Sequence, residues 1–186
     1  MSRTTKINQE ITALLRARCS LLWISSREEK RVESALLNNL PPATKDGVVM
    51  RIRFWDAVSG LTENLLIKGK SELTTLGFNP AQNGYGGKTE ASISPITNGG
   101  QPCQDPLLVL QAIRETTDRC LYVLKDISAF KDPITLRSIR NTATSIETSP
   151  AAEQRAVVIL TPSSDIPQDL LGQASLIEYP LPDRSD

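Results

Sequence analysis

The sequence predicts an α/β protein with three layers, in which a mostly parallel five-stranded sheet lies between helices. Short apolar runs alternate with amphipathic segments along the chain, as is typical of parallel strands joined by helical crossovers. Two segments begin with Asp-Pro, which favours a helix start because aspartate caps the helix and proline fits its first turn. With 186 residues, 39% of them hydrophobic, the chain is suited to a single domain over residues 1–186.

The first half of the chain is predicted to contain two helices and two strands in alternation. Apolar residues at helical spacing mark the helices, and uninterrupted apolar runs mark buried strands. Ser26 and Glu29 fit a capping box, which places the second helix start at Ser26. In order, the elements are a helix carrying Ile7, Ile11, Leu14 and Leu15, a strand at 19–25, a helix ended by Pro41-Pro42, and a strand at 48–55.

The last third of the chain repeats this alternation. The helix beginning at Asp132-Pro133 turns Arg137, Arg140 and Asn141 outward, because its apolar residues lie on the opposite face. The predicted elements are a helix from Asp105-Pro106, a strand at 120–127, a helix from Asp132-Pro133, a strand at 156–160, a short helix at 167–172 and a strand at 176–179.

A glycine-rich stretch from about 62 to 104 separates these two parts. It contains Asn83-Gly84, Gly86-Gly87 and Asn98-Gly99-Gly100, with few periodic apolar positions. Connections of this length are functional or disordered in compact domains. We therefore interpret residues 62–104 as a long insertion that is flexible in part.

Composition excludes several classes of site. The chain has no histidine, which excludes Ser-His and Cys-His hydrolases. Cys19, Cys103 and Cys120 have no C-x-x-C spacing, so a structural zinc site is not expected, and buried thiols are predicted for Cys19 and Cys120. Lys plus Arg and Asp plus Glu both total 21, which gives no global attraction to nucleic acid. The chain has no bilayer-length apolar run and no signal peptide, and we expect a cytoplasmic protein.

One strand has the form of a Walker B motif: Leu121-Tyr-Val-Leu-Lys-Asp126 is an apolar run that ends in an acid. In a working site, Asp126 would hold Mg²⁺ beside bound phosphates. Gly86-Gly87-Lys88-Thr89 resembles the end of a P-loop, but Gln82 stands at its first glycine position. Its flanks also lack the strand and helix that a P-loop joins. The sequence therefore predicts the core of a P-loop ATPase without a functional P-loop.

The turn after the first strand is the place where a P-loop would lie. It reads Ser25-Ser-Arg-Glu-Glu29, without glycine or lysine, and its two glutamates would repel a polyphosphate. We expect neither a catalytic residue nor a cofactor or metal in this domain. The weak candidates for cofactor binding are Lys88, Thr89, Asp126 and Thr161, and Asp126 is also the weak candidate for binding a metal. Thr161 is included because it ends a strand at the ligand-binding edge of the sheet. Arg137 and Arg140 are candidates for binding a protein partner.

The order of several segments resembles a known family, the AAA ATPases encoded by a hypothetical chloroplast reading frame, with cyanobacterial and other bacterial relatives. Members begin with a degenerate AAA-like domain and continue into an AAA module. The resemblance depends on these segments: Arg16-Ala-Arg18, Ser25–Glu29, Asp105-Pro-Leu107, Tyr122–Asp126, Val158–Pro162, Ile166–Leu170 and Ile177–Asp183. The 62–104 stretch is longer than the family pattern, and the chain stops at Asp186, before an AAA module.

The resemblance implies a non-catalytic recognition or regulatory domain of an AAA-type ATPase. Its partner would be another protein, a substrate, or the AAA module of the same protein, which would supply ATP and Mg²⁺ binding and any oligomerisation. In photosynthetic organisms it implies a role in regulating photosynthesis or inorganic-carbon use, and a location in the chloroplast stroma for plastid relatives. The alternative is a weak nucleotide-binding ATPase that uses Asp126 and Lys88-Thr89. No membrane or nucleic-acid partner is expected from the neutral chain.

Overall fold

The computed structural model describes residues 3–40, 50–67, 70–84, 87–96, 102–150 and 153–181, with the backbone alone at 65–67, 70–71, 83–84 and 87–88. The α-helices of these residues are α1 (Arg3–Arg16), α2 (Glu29–Asn38), α3 (Pro106–Glu115) and α4 (Pro133–Glu147). None of them is long and apolar enough to cross a bilayer. Short 3₁₀ helices lie at Ile127–Ala129 and Gln168–Leu170.

The strands of the described residues are β1 (Leu21–Ser25), β2 (Arg51–Asp56), β3 (Gly60–Ile67), β4 (Lys70–Asn79), β5 (Gln82–Gly84), β6 (Gly87–Thr89), β7 (Ser92–Pro95), β8 (Cys120–Lys125), β9 (Arg155–Thr161) and β10 (Ala174–Glu178). Eight of them form one sheet in the order β10-β1-β9-β8-β2-β3-β4-β7, and β5 and β6 form a separate two-stranded sheet.

The five predicted strands are confirmed, and they are parallel neighbours from β10 to β2. Counted along the chain, they lie in the order 5-1-4-3-2. This arrangement is consistent with an AAA-like core. The prediction of five strands in all was wrong, because β3, β4 and β7 continue the sheet in antiparallel register.

These three strands, with β5 and β6, come from the stretch interpreted as a partly flexible insertion. Residues 68–69, 85–86 and 97–101 of that stretch lie outside the described residues. Most of the remainder forms strands, because backbone pairing that begins at β2 supplies hydrogen bonds that local apolar periodicity does not reveal. We call β3, β4 and β7 the antiparallel extension.

Helices cover the parallel strands on both faces. On one face, α1 and α2 place Ile11, Leu15, Val32 and Leu36 against the sheet, and on the other, α3 and α4 pack over Trp23 and its neighbours. The antiparallel extension differs, because α3 packs against β4 and β7 on one face while Leu73, on the other face, is 68% exposed. The predicted three-layer arrangement therefore holds for the parallel strands.

Helix caps follow the sequence in two cases of three. The carboxylates of Asp105 and Asp132 accept hydrogen bonds from the first amides of α3 and α4, and proline occupies the first turn of both helices. The prediction of a capping box at Ser26 was wrong, because α2 begins at Glu29 and Ser26 Oγ instead accepts a hydrogen bond from the Glu28 amide, at 3.0 Å. The Ser26 amide donates to the Thr161 carbonyl on β9, which holds Ser26 in the turn before the helix.

A buried arginine joins the parallel strands to the antiparallel extension. Arg53 on β2 is 1% exposed, and its guanidinium donates to Glu63 on β3 at 2.8 Å and to the Tyr122 hydroxyl on β8 at 2.9 Å. A third bond goes to Asp118 at 2.5 Å. Burial raises the pKa of Tyr122, so the phenol stays neutral and can accept the hydrogen bond from arginine. A buried charge needs such partners, because desolvation of an unpaired ion is costly.

Candidate functional site

The turn between β1 and α2 occupies the position where a phosphate-binding loop would lie in this fold. Its first residues are fixed by the neighbouring strand, since the Ser26 amide bonds to the Thr161 carbonyl at 2.9 Å. Glu28 follows and presents its carboxylate beside the first turn of α2. A negative charge placed there favours the helix dipole and repels phosphate.

Arg31 closes this turn from the side of α2. Its guanidinium donates to the Glu28 carboxylate at 2.9 Å, to the Pro180 carbonyl at 2.8 Å and to the Thr4 hydroxyl at 2.7 Å. It also lies 5.3 Å from the centre of the Tyr179 ring. The segment after β10 is held over the turn by these contacts, and its Tyr179 amide donates to the Ser25 carbonyl. The Arg31 guanidinium is therefore engaged within the protein, whereas Arg27, in the turn itself, is exposed.

The Walker B-like strand is β8, and Asp126 follows its last residue. Asp126 adopts a left-handed backbone conformation with φ of 53°, and its amide donates to the Leu160 carbonyl on β9 at 2.9 Å. Its side chain is exposed and does not cap the 3₁₀ helix that follows. Among the described residues, the Asp126 carboxylate therefore neither caps a helix nor forms an ion pair.

Lys125, the residue before it, pairs with acids instead. Its ammonium lies 3.4 Å from Glu33, 3.5 Å from Asp56 and 4.0 Å from Glu29, and its side chain is 17% exposed. This lysine therefore connects the end of β8 to α2 and to the end of β2. Sequence reasoning missed the cluster, because its residues are distant along the chain and only the parallel register brings them together.

The residues proposed for nucleotide binding lie on different elements of the fold. Thr161 is buried at the end of β9, and its hydroxyl oxygen accepts a hydrogen bond from Ser128 Oγ at 3.0 Å. Thr89 lies on β6, in the separate two-stranded sheet, where its hydroxyl bonds to Gln82. Lys88 pairs with Asn83 through the backbone of the same hairpin, and its side chain lies outside the described residues. Gly87–Thr89 is therefore a hairpin strand and not the loop between a strand and a helix that a P-loop requires.

Groups that could hold metal or act as nucleophiles are scarce. Among the described residues, no group of three or more His, Cys, Asp or Glu side chains could hold a metal ion. Burial raises the pKa of the Cys103 and Cys120 thiols to about 12, so both remain protonated and unreactive at neutral pH. The thiol of Cys120 is buried as predicted, whereas Cys19, two residues before β1, is half-buried.

A small cavity lies at the carboxyl ends of β1 and β9. It has a volume of about 220 Å³, and its walls include Trp23, Lys131, Leu136, Asp165 and Ile166. The Trp23 indole N–H is already used, since it donates to the Ser163 carbonyl at 2.9 Å. The expected position of a ligand at the strand ends therefore exists, and half of its eight lining residues are polar or charged.

A wider groove runs between α3 and α4 on the outer surface. Its volume is about 550 Å³. Arg137 lines it, and Arg140 lies one turn further along α4; both are exposed as the sequence predicted. Sequence reasoning missed two apolar residues of the groove, Leu107 and Ile134, which are 38% and 68% exposed. Each follows an Asp-Pro helix start and lies off the apolar face of its helix. This position in the sequence could have indicated that both side chains are exposed.

Comparisons with known proteins agree with this architecture. Residues 7–179 match the family described as "SpoVK-like AAA ATPase, N-terminal domain". The chain is 27% identical over 177 residues to the uncharacterized AAA domain-containing protein ycf46 of Pyropia yezoensis, covering 94% of this chain and 28% of that protein. It is 25% identical over 181 residues to the ycf46 protein of Guillardia theta, covering 96% of this chain and 28% of that protein.

The chain thus spans little more than a quarter, 28%, of the length of the curated relatives it matches. No solved structure matches it significantly. The family match covers nearly all the described elements, from α1 to the residue after β10. The chain therefore belongs to the family of N-terminal domains of SpoVK-like AAA ATPases.

Proposed function

We propose that this domain is a non-catalytic recognition or regulatory domain of an AAA-type ATPase, which docks a protein partner or substrate, or the AAA module of its own protein. The observation that carries the proposal is the closed turn between β1 and α2. There, Arg31 bridges Glu28 and Pro180 at the position where a P-loop would bind phosphate. ATP and Mg²⁺ would bind in the AAA module, as the family implies, and the protein would act in the cytoplasm, or in the chloroplast stroma for plastid relatives.

The geometry gives less support to the alternative, a weak nucleotide-binding ATPase. Asp126 follows β8 of the main sheet, whereas Thr89 belongs to the separate hairpin of β5 and β6. Lys125 is engaged by Glu33 and Asp56. A nucleotide could use the Lys125 or Arg31 cation only by displacing the ion pairs that each already makes.

The proposal is tested by calorimetric titration of the chain with Mg-ATP, together with an assay for phosphate release. We expect neither saturable heat nor phosphate release above the protein-free rate, because the phosphate position carries the Glu28 carboxylate. The matched variants are Asp126→Ala and Thr89→Ala. Micromolar binding in the parent chain that either variant abolishes would favour the nucleotide-binding alternative and overturn the proposal.

A further inference from the structure

We infer that the groove between α3 and α4 binds an acidic amphipathic helix presented by a partner protein. The inference rests on the proposed recognition role and names the chemistry of its partner. An amphipathic helix in a groove is a recurring mode of protein recognition, in which apolar anchors enter the groove and charges at its rim set specificity.

The groove has an exposed apolar part beside its five polar lining residues. Ile134 is 68% exposed and Leu107 38% exposed, and Pro133 lies beside them. Both apolar residues are in the first turns of their helices, so they form one patch at the same end of the helix pair. Apolar side chains clustered in this way gain free energy when a partner removes them from water.

The rim of the groove is positively charged. Arg137 is exposed and makes no ion pair with the described residues, and Arg140 lies beside it at the next turn of α4. Arg114 is held in place across the groove by hydrogen bonds to Ser138 at 2.9 Å and Thr142 at 3.1 Å. Arginine forks of this kind bind carboxylates in pairs of hydrogen bonds.

The nearby acids are not part of the groove lining. Asp105 and Asp132 cap the first amides of α3 and α4, and Glu115 accepts a hydrogen bond from Gln111 at 2.8 Å. The eight residues that line the groove include two arginines and no acid. Charge complementarity therefore favours a partner with carboxylates on both sides of an apolar stripe.

The groove favours a protein over a nucleic acid. Its lining contains no aromatic side chain on which a base could stack. The chain as a whole has no net charge to attract a polyanion. A helix also suits it better than an extended peptide, because α3 and α4 offer their side chains and not the free backbone groups of a sheet edge.

The test uses a phage-displayed library of helical peptides of about 14 residues. Leucine is fixed along one helical face, and the flanking positions vary among Glu, Gln and Lys. Selection on the wild-type chain is expected to enrich Glu over Lys beside the leucine stripe. The enriched peptide, made with a fluorescent label, is then titrated by anisotropy against the wild type and four variants whose folding is checked by circular dichroism.

Ile134→Asp is expected to weaken binding at least about tenfold, and Arg137→Glu about fivefold, because the anchor and its charge partner are lost. The matched controls are Leu73→Asp, since Leu73 is also 68% exposed but lies on β4, and Arg16→Glu on α1. Both should bind as the wild type does. Binding should also weaken as salt is raised.

The inference is overturned if no peptide is enriched, if Lys is enriched as strongly as Glu, if the groove variants bind as well as the controls, or if an oligo-uridine RNA binds the groove in place of the peptide. Any of these results, together with an absence of Mg-ATP binding, would exclude the groove as the binding site but leave the proposed recognition role unaffected. Saturable Mg-ATP binding that Asp126→Ala abolishes would instead contradict the proposed recognition role.

Discussion

The two parts of the sheet are stabilised in different ways. The parallel strands β10, β1, β9, β8 and β2 are covered by α1 and α2 on one face and by α3 and α4 on the other. The antiparallel extension has α3 against one face, while on its other face Leu73 is 68% exposed. The parallel part therefore depends on apolar burial on both faces, and the extension depends more on backbone pairing and on the buried Arg53 cluster at its junction.

This comparison bears on function. The parallel part retains the strand order of an AAA-like core, and its phosphate position is closed by Arg31. The groove lies outside the sheet, on the helices that cover it. A fold can therefore keep the architecture of an ATPase while the surface that we propose for recognition is elsewhere.

The largest effect is expected where the two parts meet. Glu63→Ala removes a carboxylate from Arg53 and leaves a buried guanidinium underpaired, which should lower the free energy of unfolding by about 2–4 kcal/mol. Urea denaturation followed by tryptophan fluorescence measures the change, since Trp55 lies on β2 beside the junction.

Two further variants serve as controls for Glu63→Ala. Lys30→Ala breaks an ion pair whose lysine is 90% exposed, and should change stability by less than about 0.5 kcal/mol. The double variant Arg53→Met/Glu63→Leu should recover much of the loss, because it removes both charges. A Glu63→Ala protein as stable as Lys30→Ala would show that the junction does not depend on this ion pair.

A smaller, pH-dependent effect is expected at the turn that joins β2 to β3. Burial opposes ionisation of Asp56, but hydrogen bonds from the Ser59 and Val58 amides and the charge of Lys125 hold its pKa below the ordinary value of 3.8. A carboxyl with a lower pKa in the folded state stabilises the fold above its unfolded pKa and loses that contribution as the pH falls through the folded pKa.

Asp56→Asn should therefore be less stable than the wild type at neutral pH, and the difference should shrink as the pH falls below 3.8. This stability difference is tested by measuring the urea midpoints of both proteins at neutral pH and below pH 3.8. A difference that stays constant with pH would mean that the carboxylate charge of Asp56 does not stabilise the turn.

The smallest effect is expected on the uncovered face of the extension. Leu73→Ala should change the free energy of unfolding by less than about 0.5 kcal/mol, because Leu73 loses little buried area. The matched control is Leu76→Ala on the same strand, where the side chain is 2% exposed and the loss should be about 2–4 kcal/mol. Equal losses for the two variants would show that something covers the face on which Leu73 lies.

The contrast also explains which predictions from sequence succeeded. The parallel strands are continuous apolar runs, because both of their faces are buried, and such runs are visible locally. The strands of the extension were missed, since Leu73 faces solvent opposite Asn64 while Leu76 is buried opposite Leu61. Strands covered on one face and interrupted by glycine give only a weak local signal.

The features of the candidate site also fall into those that the sequence predicted and those that it did not. Exposure of Arg137 and Arg140 followed from helical periodicity. The apolar part of the groove was not predictable, because Leu107 and Ile134 become neighbours only when α3 and α4 pack side by side. The closure of the phosphate position by Arg31 and Pro180 was hidden for the same reason, since 149 positions separate the two residues in the chain.

Local sequence patterns were enough to predict the parallel strands and the Asp-Pro helix starts, because burial periodicity and capping act over a few neighbouring residues. The tertiary structure decided the rest: where α2 begins, how far the sheet extends, which acids Lys125 meets and what lines the groove. Each of these depends on backbone pairs or side-chain contacts between residues distant along the chain, and local sequence patterns do not specify such contacts.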